Sequence, residues 1–144
     1  MRTLAAAALA VALIAGCGDK APADEPGDVA DRFVDLYFVE IDQQRLLPIT
    51  SGVARQRIED ELREVAAVRA TGYTAGAAKP RVFYERTMLQ TDDTAGRARA
   101  VYDIRIKHGD DETRRHALIS LSNRDGKNWT VASFAVQDGP AARR

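Results

Sequence analysis

The chain has 144 residues, with 21 Lys plus Arg against 21 Asp plus Glu, 45% apolar residues, one Cys and one Trp. That length holds one small domain and no second independent core. Zero net charge and a pI near 6.7 exclude the basic surplus of nucleic-acid-binding domains, and a single Cys excludes an internal disulfide framework or a multi-cysteine metal site.

Met1 and Arg2 give a short positive start, and residues 4–15 (LAAAALAVALIA) form an uncharged run of twelve. As a helix that run would cover about 18 Å, against roughly 30 Å of hydrocarbon core. It is therefore read as a secretory signal and not as a span. Ile14, Ala15, Gly16 and Cys17 follow the order aliphatic, small, small, cysteine. This resembles the lipobox of bacterial lipoprotein precursors. The resemblance implies cleavage before Cys17, acylation of its thiol and of the new amino group by palmitate-like chains, and a mature chain that starts there. One acyl chain binds a membrane only marginally, at about 0.8 kcal/mol per buried CH₂, whereas a diacylglycerol with an N-acyl chain holds essentially permanently. Gly18 follows the Cys where inner-membrane retention would have Asp, so the same resemblance favours the outer membrane, with the domain facing the periplasm. Residues 18–27 (GDKAPADEPG) have two prolines and no large apolar side chain, the composition of a tether.

Asp28 is placed to cap a helix in which Val29, Phe33, Leu36, Tyr37 and Ile41 recur on one face, with Asp31, Asp35 and Asp42 on the other side. Pro48 interrupts, and after Ser51 and Gly52 a second helix is predicted to about Ala70, with Ile58, Leu62, Val65 and Arg69 on one face and Gly72 as its stop. Residues 72–80 (GYTAGAAKP) form a loop. From Arg81 the period changes to two. Ala98, Ala100, Tyr102, Ile104 and Ile106 alternate with Arg97, Arg99, Val101, Asp103, Arg105 and Lys107, the pattern of a strand with one buried face. Strands are predicted over 82–91, 114–122 and 128–137 as well, joined by turns short enough for antiparallel neighbours.

These elements predict an α+β domain in which two or three N-terminal helices pack on a curved four-stranded antiparallel meander. Two helices followed by a meander that ends in Gly126-x-x-Trp129-x-Val131 resemble the nuclear-transport-factor-two-like superfamily, whose polyketide-cyclase-like and ketosteroid-isomerase-like members form a cone. The expected organisation is a signal peptide over 1–16, a lipidated N-terminus and tether over 17–27, one cone-like domain over 28–138 and a disordered tail over 139–144.

The resemblance implies that any pocket lies between the concave sheet face and the helices, where the superfamily's enzymes place an Asp, His or Tyr. The inward series of the 97–107 strand offers one phenol, Tyr102, and no acid or base. Tyr37, Tyr84 and Tyr102 are the candidate pocket residues, although a buried Tyr is more often a core residue with a satisfied hydroxyl. If the next hairpin turns through Gly109 and Asp110, then His108 pairs with Asp111 and Asp103 faces His116 across the strands. That is a carboxylate beside an imidazole, but with no nucleophile positioned near it. No catalytic residue, metal site or cofactor is expected, since two scattered His and the acidic 109–112 hairpin do not make a ligand set. Arg97, Arg99, Arg105, Lys107 and Arg114 share the outward face and are the candidate interaction surface, for an acidic protein or an anionic headgroup.

The sequence thus points to a lipid-anchored, non-enzymatic envelope protein that binds a ligand or another protein, with a homodimer through the sheet as an open option. Two alternatives are an isomerase- or cyclase-like enzyme and a periplasmic immunity or inhibitor lipoprotein. The zero charge is also an average: residues 17–80 sum to −4 and residues 81–144 to +3.

Overall fold

The computed structural model describes residues 24–72 and 79–139. The signal segment, the lipobox with Cys17, most of the tether, residues 73–78 of the loop and the chain after Gly139 lie outside those residues. The first helix, α1 (Pro26–Val34), begins two residues before the expected cap. Pro26 takes the first helical turn, where a missing N–H costs nothing, and the Glu25 carbonyl accepts from the amides of Asp28 (3.0 Å) and Val29 (3.2 Å). Asp28 sits inside the first turn and is not the cap.

The helix then widens into a π-helical turn, Asp35–Glu40, and stops at Ile41, a non-glycine residue at φ 57°. This overturns the expectation that Ile41 lies on the buried face: at the left-handed stop its side chain turns outward and is 47% exposed. A 3₁₀ segment, Gln43–Ile49, carries Pro48 and buries Leu46. Thr50 and Ser51 then stitch the chain to the last strand. Thr50 forms a parallel bridge with Val131, the Ser51 amide donates to the Val131 carbonyl at 2.9 Å, and the Ser51 and Thr130 hydroxyls lie 2.8 Å apart.

The second helix, α2 (Gly52–Ala70), spans the expected residues, but only its first half docks. Ala54 and Ile58 are buried and Leu62 is half-buried, whereas Val65, Val68 and Arg69 are exposed. The apolar stripe therefore runs on past the sheet, and Val65 and Arg69 do not share the buried face assigned to them.

The strands are β1 (Arg81–Asp92), β2 (Arg97–His108), β3 (Asp111–Ser122) and β4 (Thr130–Asp138), paired antiparallel in the order β1-β2-β3-β4. The fold is the expected α+β arrangement, with helices preceding an open four-stranded sheet. The β2–β3 register matches the hairpin reading, with Asp103 opposite His116 and His108 opposite Asp111. At the β1–β2 turn Gly96 has φ 58°, and a Cβ there would lie 2.7 Å from the Asn123 carbonyl oxygen, so only glycine fits. Between helices and sheet the space is filled by Phe33, Leu46, Ile58, Tyr102, Ile104 and Ile119, all essentially inaccessible. Burying each such side chain contributes about 1.5–3 kcal/mol before entropy is counted.

One extra residue, Thr87, interrupts β1. Arg86 pairs with Tyr102 and Met88 with Val101, a bulge that reverses which side chains face the helices. Before it Val82, Tyr84 and Arg86 turn inward. Arg86 and Tyr102 thereby meet α1, where Asp31 Oδ1 accepts from the Tyr102 hydroxyl at 2.6 Å and from Arg86 Nη1 at 3.2 Å. Asp35 accepts from the Tyr84 hydroxyl at 3.4 Å. Asp31 and Asp35 thus do not point away from the core side of α1 as expected; they face the β1–β2 edge, because buried phenols need acceptors.

The Arg86–Asp31 ion pair is partly exposed and contributes little, so the phenol carries most of the effect. Asp31→Ala strands the Tyr102 hydroxyl and is expected to cost about 2 kcal/mol, a Tm drop on the order of 10 °C. Tyr102→Phe should cost less, because Asp31 keeps Arg86 and water. Thermal denaturation of both variants checks the order, and equal or negligible losses would remove Asp31 as the helix anchor.

Candidate functional site

The three tyrosines divide into two groups. Tyr84 and Tyr102 lie together with ring centroids 6.0 Å apart, edge to face, and both hydroxyls end on α1 carboxylates. Tyr37 sits elsewhere, stacked on Phe33 at 5.6 Å and edge-on to Phe134 at 5.1 Å, and donates to Glu61 Oε1 of α2 at 2.9 Å. Arg57 lies over the Phe134 ring at 4.3 Å and bonds the same Glu61 oxygen. Burial, and secondarily the Glu61 carboxylate, push the Tyr37 phenol up to about 12. Burial first and Asp31 second raise Tyr102 as well, and burial followed by Asp35 and Asp31 raises Tyr84. These phenols hold their protons: Tyr84 and Tyr102 tie strands to the first helical run, and Tyr37 ties that run to α2.

His116 Nδ1 lies 2.7 Å from Asp103 Oδ1 on the outer face, in a depression of about 640 Å³ that Phe83, Glu85, Arg105, Arg114 and Arg115 also line. Both partners are about half exposed. Among the described residues no group of three or more His, Cys, Asp or Glu is placed to hold a metal ion, and no helix is long and apolar enough to cross a membrane.

The five expected interaction residues do lie on the outer face, but they are not equivalent. Lys107 and Arg114 both reach Glu112, at 3.5 and 3.3 Å, and Arg114 holds that carboxyl below its usual range, with Lys107 adding to the effect. Arg105 lies over the Phe83 ring, 5.5 Å from its centroid. Arg97 and Arg99, at the other end of the sheet, make no ion pair among the described residues. Arg99 stands in a cross-strand row with Gln90, Ser120 and Ser133, and Arg97 stands between Asp92 and Ser122. These rows floor a groove of about 720 Å³ that Arg124, from the β3–β4 loop, completes. Arg124 also lacks an ion pair among the described residues.

Three guanidinium groups and the hydroxyls of Ser120 and Ser122 therefore converge on one concavity. Guanidinium forks match carboxylate and phosphate oxygens in pairs, and the one carboxylate in the lining, Asp92, is turned to the Ala95 amide at 3.0 Å. The lining thus sets three cations that have no ion pair among the described residues beside two hydroxyls. Arg124 and the serines escaped the sequence reading because strand alternation assigns no face to a loop residue and gives a small hydroxyl no weight.

No protein-family model matches the chain, and neither does any curated protein or solved structure. The chemistry of this site therefore rests on its own geometry.

Because folding raises the phenol pKa values, the folded chain keeps protons that the unfolded chain releases near pH 10. Their contribution is complete below pH 10 and is lost as pH rises above it. Denaturant titrations from pH 8 to pH 12 should show stability falling above about pH 10, with a shallower fall in Tyr37→Phe; an identical profile in that variant would dissociate Tyr37 from the effect. Arg97→Ala, Arg99→Ala and Arg124→Ala should each shift stability by under about 0.5 kcal/mol, since none holds a structural partner. Larger losses would give these cations a role in the fold.

Proposed function

We propose that this chain is a lipid-anchored protein of the cell envelope, held at the periplasmic side through Cys17, whose domain is a non-enzymatic binding module for an anionic group. The observation that carries the binding reading is the convergence of Arg97, Arg99 and Arg124 on one groove while Arg105, Lys107 and Arg114 are engaged by neighbours. Cations without structural work, set beside donors of the right geometry, are what an incoming carboxylate or phosphate needs. The reading as a binder is favoured over an isomerase or cyclase by the packed interior. The carboxylate closest to a phenol, Asp31, spends its oxygen on Tyr102 and Arg86. The anchor reading rests on the order Ile14, Ala15, Gly16, Cys17 after a twelve-residue apolar run.

Two measurements test the two halves separately. Mass spectrometry of the membrane fraction should find the Cys17 peptide acylated and N-terminal, and Cys17→Ala should release the protein from the membrane; an unacylated, freely soluble wild type would sink the anchor. Titration of the purified full chain with inorganic pyrophosphate, followed by the amide resonances of Ser120 and Ser122, should saturate. The triple variant Arg97→Glu, Arg99→Glu, Arg124→Glu should lose that response. Shifts that do not saturate, or that survive the charge reversals, would retire the groove as an anion site.

A further inference from the structure

Resting on the lipid-anchor reading, we propose that the end of the sheet carrying Trp129, Arg97, Arg99, Arg124 and Lys127 lies against the anionic headgroup layer of the bilayer that holds Cys17, so that the anion in the groove is a lipid phosphate.

The first argument is the length of the tether and the place where it ends. Asp24, the first described residue, is paired with Arg32 at 3.2 Å, so the domain holds the chain from that point on. Seven residue steps separate Cys17 from Asp24. Their covalent length limits the reach to about 25 Å. The surface around Asp24 therefore stays near the membrane in every orientation of the domain.

The second argument is what surrounds Asp24. It lines a groove of about 790 Å³ together with Trp129, Pro48, Val53 and Arg124. That groove shares Ser122, Arg124 and Ala132 with the anion groove, so tether exit, indole and free guanidinium groups form one continuous surface. Trp129 is the chain's single tryptophan and is half-buried. An indole with an apolar body and one N–H donor suits the headgroup level of a bilayer.

The third argument is charge. The carboxylates at this end keep their charge but are turned to the chain itself, Asp92 to the Ala95 amide, Asp125 to the amides of Lys127 and Asn128 at 3.0 Å each and Asp24 to Arg32, whereas Arg97, Arg99 and Arg124 have no ion pair among the described residues. Asp93 and Glu25 have no side-chain partner among the described residues. The other end of the sheet lies about 36 Å away along the twelve residues of β2. There the β2–β3 turn presents Asp110 and Asp111, and Lys107 and Arg114 are both drawn to Glu112. The three arginines that have no ion pair among the described residues and share one groove thus lie at the end where the tether enters.

Trp129 serves as the probe. The full acylated chain is reconstituted into vesicles of phosphatidylethanolamine with phosphatidylglycerol, carrying brominated acyl chains as quencher, and into vesicles of phosphatidylcholine carrying the same quencher. Emission should be quenched in the anionic vesicles, and the quenching should fall at least about twofold in phosphatidylcholine, in high salt and in the triple Arg→Glu variant. Attached, acylated protein whose Trp129 is unquenched would overturn the proposal, as would quenching indifferent to lipid charge, salt and the three arginines. Because two of these arms leave the sequence unchanged, a misfolded variant does not blunt the test. The anchor is scored separately by vesicle flotation of wild type and Cys17→Ala. An unacylated chain that is still quenched on anionic vesicles keeps the docking face and loses the anchor, and an acylated chain that is not quenched keeps the anchor and loses the face.

Discussion

A single carboxylate oxygen decides how the helices sit on the sheet. Asp31 Oδ1 receives the hydroxyl of Tyr102, whose ring is wholly inaccessible, and the guanidinium of Arg86 from the neighbouring strand. The phenol cannot be left bare, since a buried hydroxyl without an acceptor costs as much as the bond it forgoes, whereas Arg86 is partly exposed and adds little. Val29, Phe33 and Val34 of α1 are buried over β2 and β3, where Ala98, Ala100 and Ala117 alternate with Tyr102, Ile104, Ile119 and Leu121, and apolar packing is not directional. The Asp31 bond fixes the rotation of α1. That rotation places Phe33 against Phe134 at 4.9 Å and gives Tyr84 its partner in Asp35. The fold is held by oriented polar bonds at the edge of the core as much as by the core.

The outer face follows a different economy. Cations near the β2–β3 turn are neutralised by Glu112 or laid over Phe83, and those near the β1–β2 turn are left free. The same residue type thus stands in two settings on one sheet: engaged on a solvated face at one end and without an ion pair beside a groove at the other. Net charge hides this. The overall sum of zero, and even the basic sum of the sheet half, says nothing about which arginines have partners.

Much of the fold was legible in the sequence. The alternation from Arg97 to Lys107 gave β2 its buried face, and the turn at Gly109 fixed the β2–β3 register to the residue, because both signals are local. What escaped was set by tertiary demands. A helical wheel puts Asp31 and Asp35 opposite the apolar stripe, and nothing in it shows that two strand phenols will need them. Ile41 fits the periodicity of α1, but the π-helical turn before it displaces the wheel and ends the helix. Val65 continues the stripe of Ile58 and Leu62, and only the limited width of the sheet leaves it in water. For the site, Arg97 and Arg99 could be read as exposed, whereas their freedom from partners, the contribution of Arg124 and the junction with Asp24 exist only in three dimensions.

The bulge at Thr87 breaks the alternation of β1, and it also sets the strand's tolerance to change. The strand consists of two segments of opposite phase: Val82, Tyr84 and Arg86 serve the helices in the first, and Leu89 and Thr91 lie on that same side in the second. A frame of two cannot absorb the loss of one residue here. Deleting Thr87 would restore a regular ladder and, in doing so, carry either Arg86 away from Asp31 or Gln90 away from the groove floor. The irregular residue is thus the one point where the helix anchor and the recognition face are kept in step, so an insertion or deletion elsewhere in β1 is felt by both.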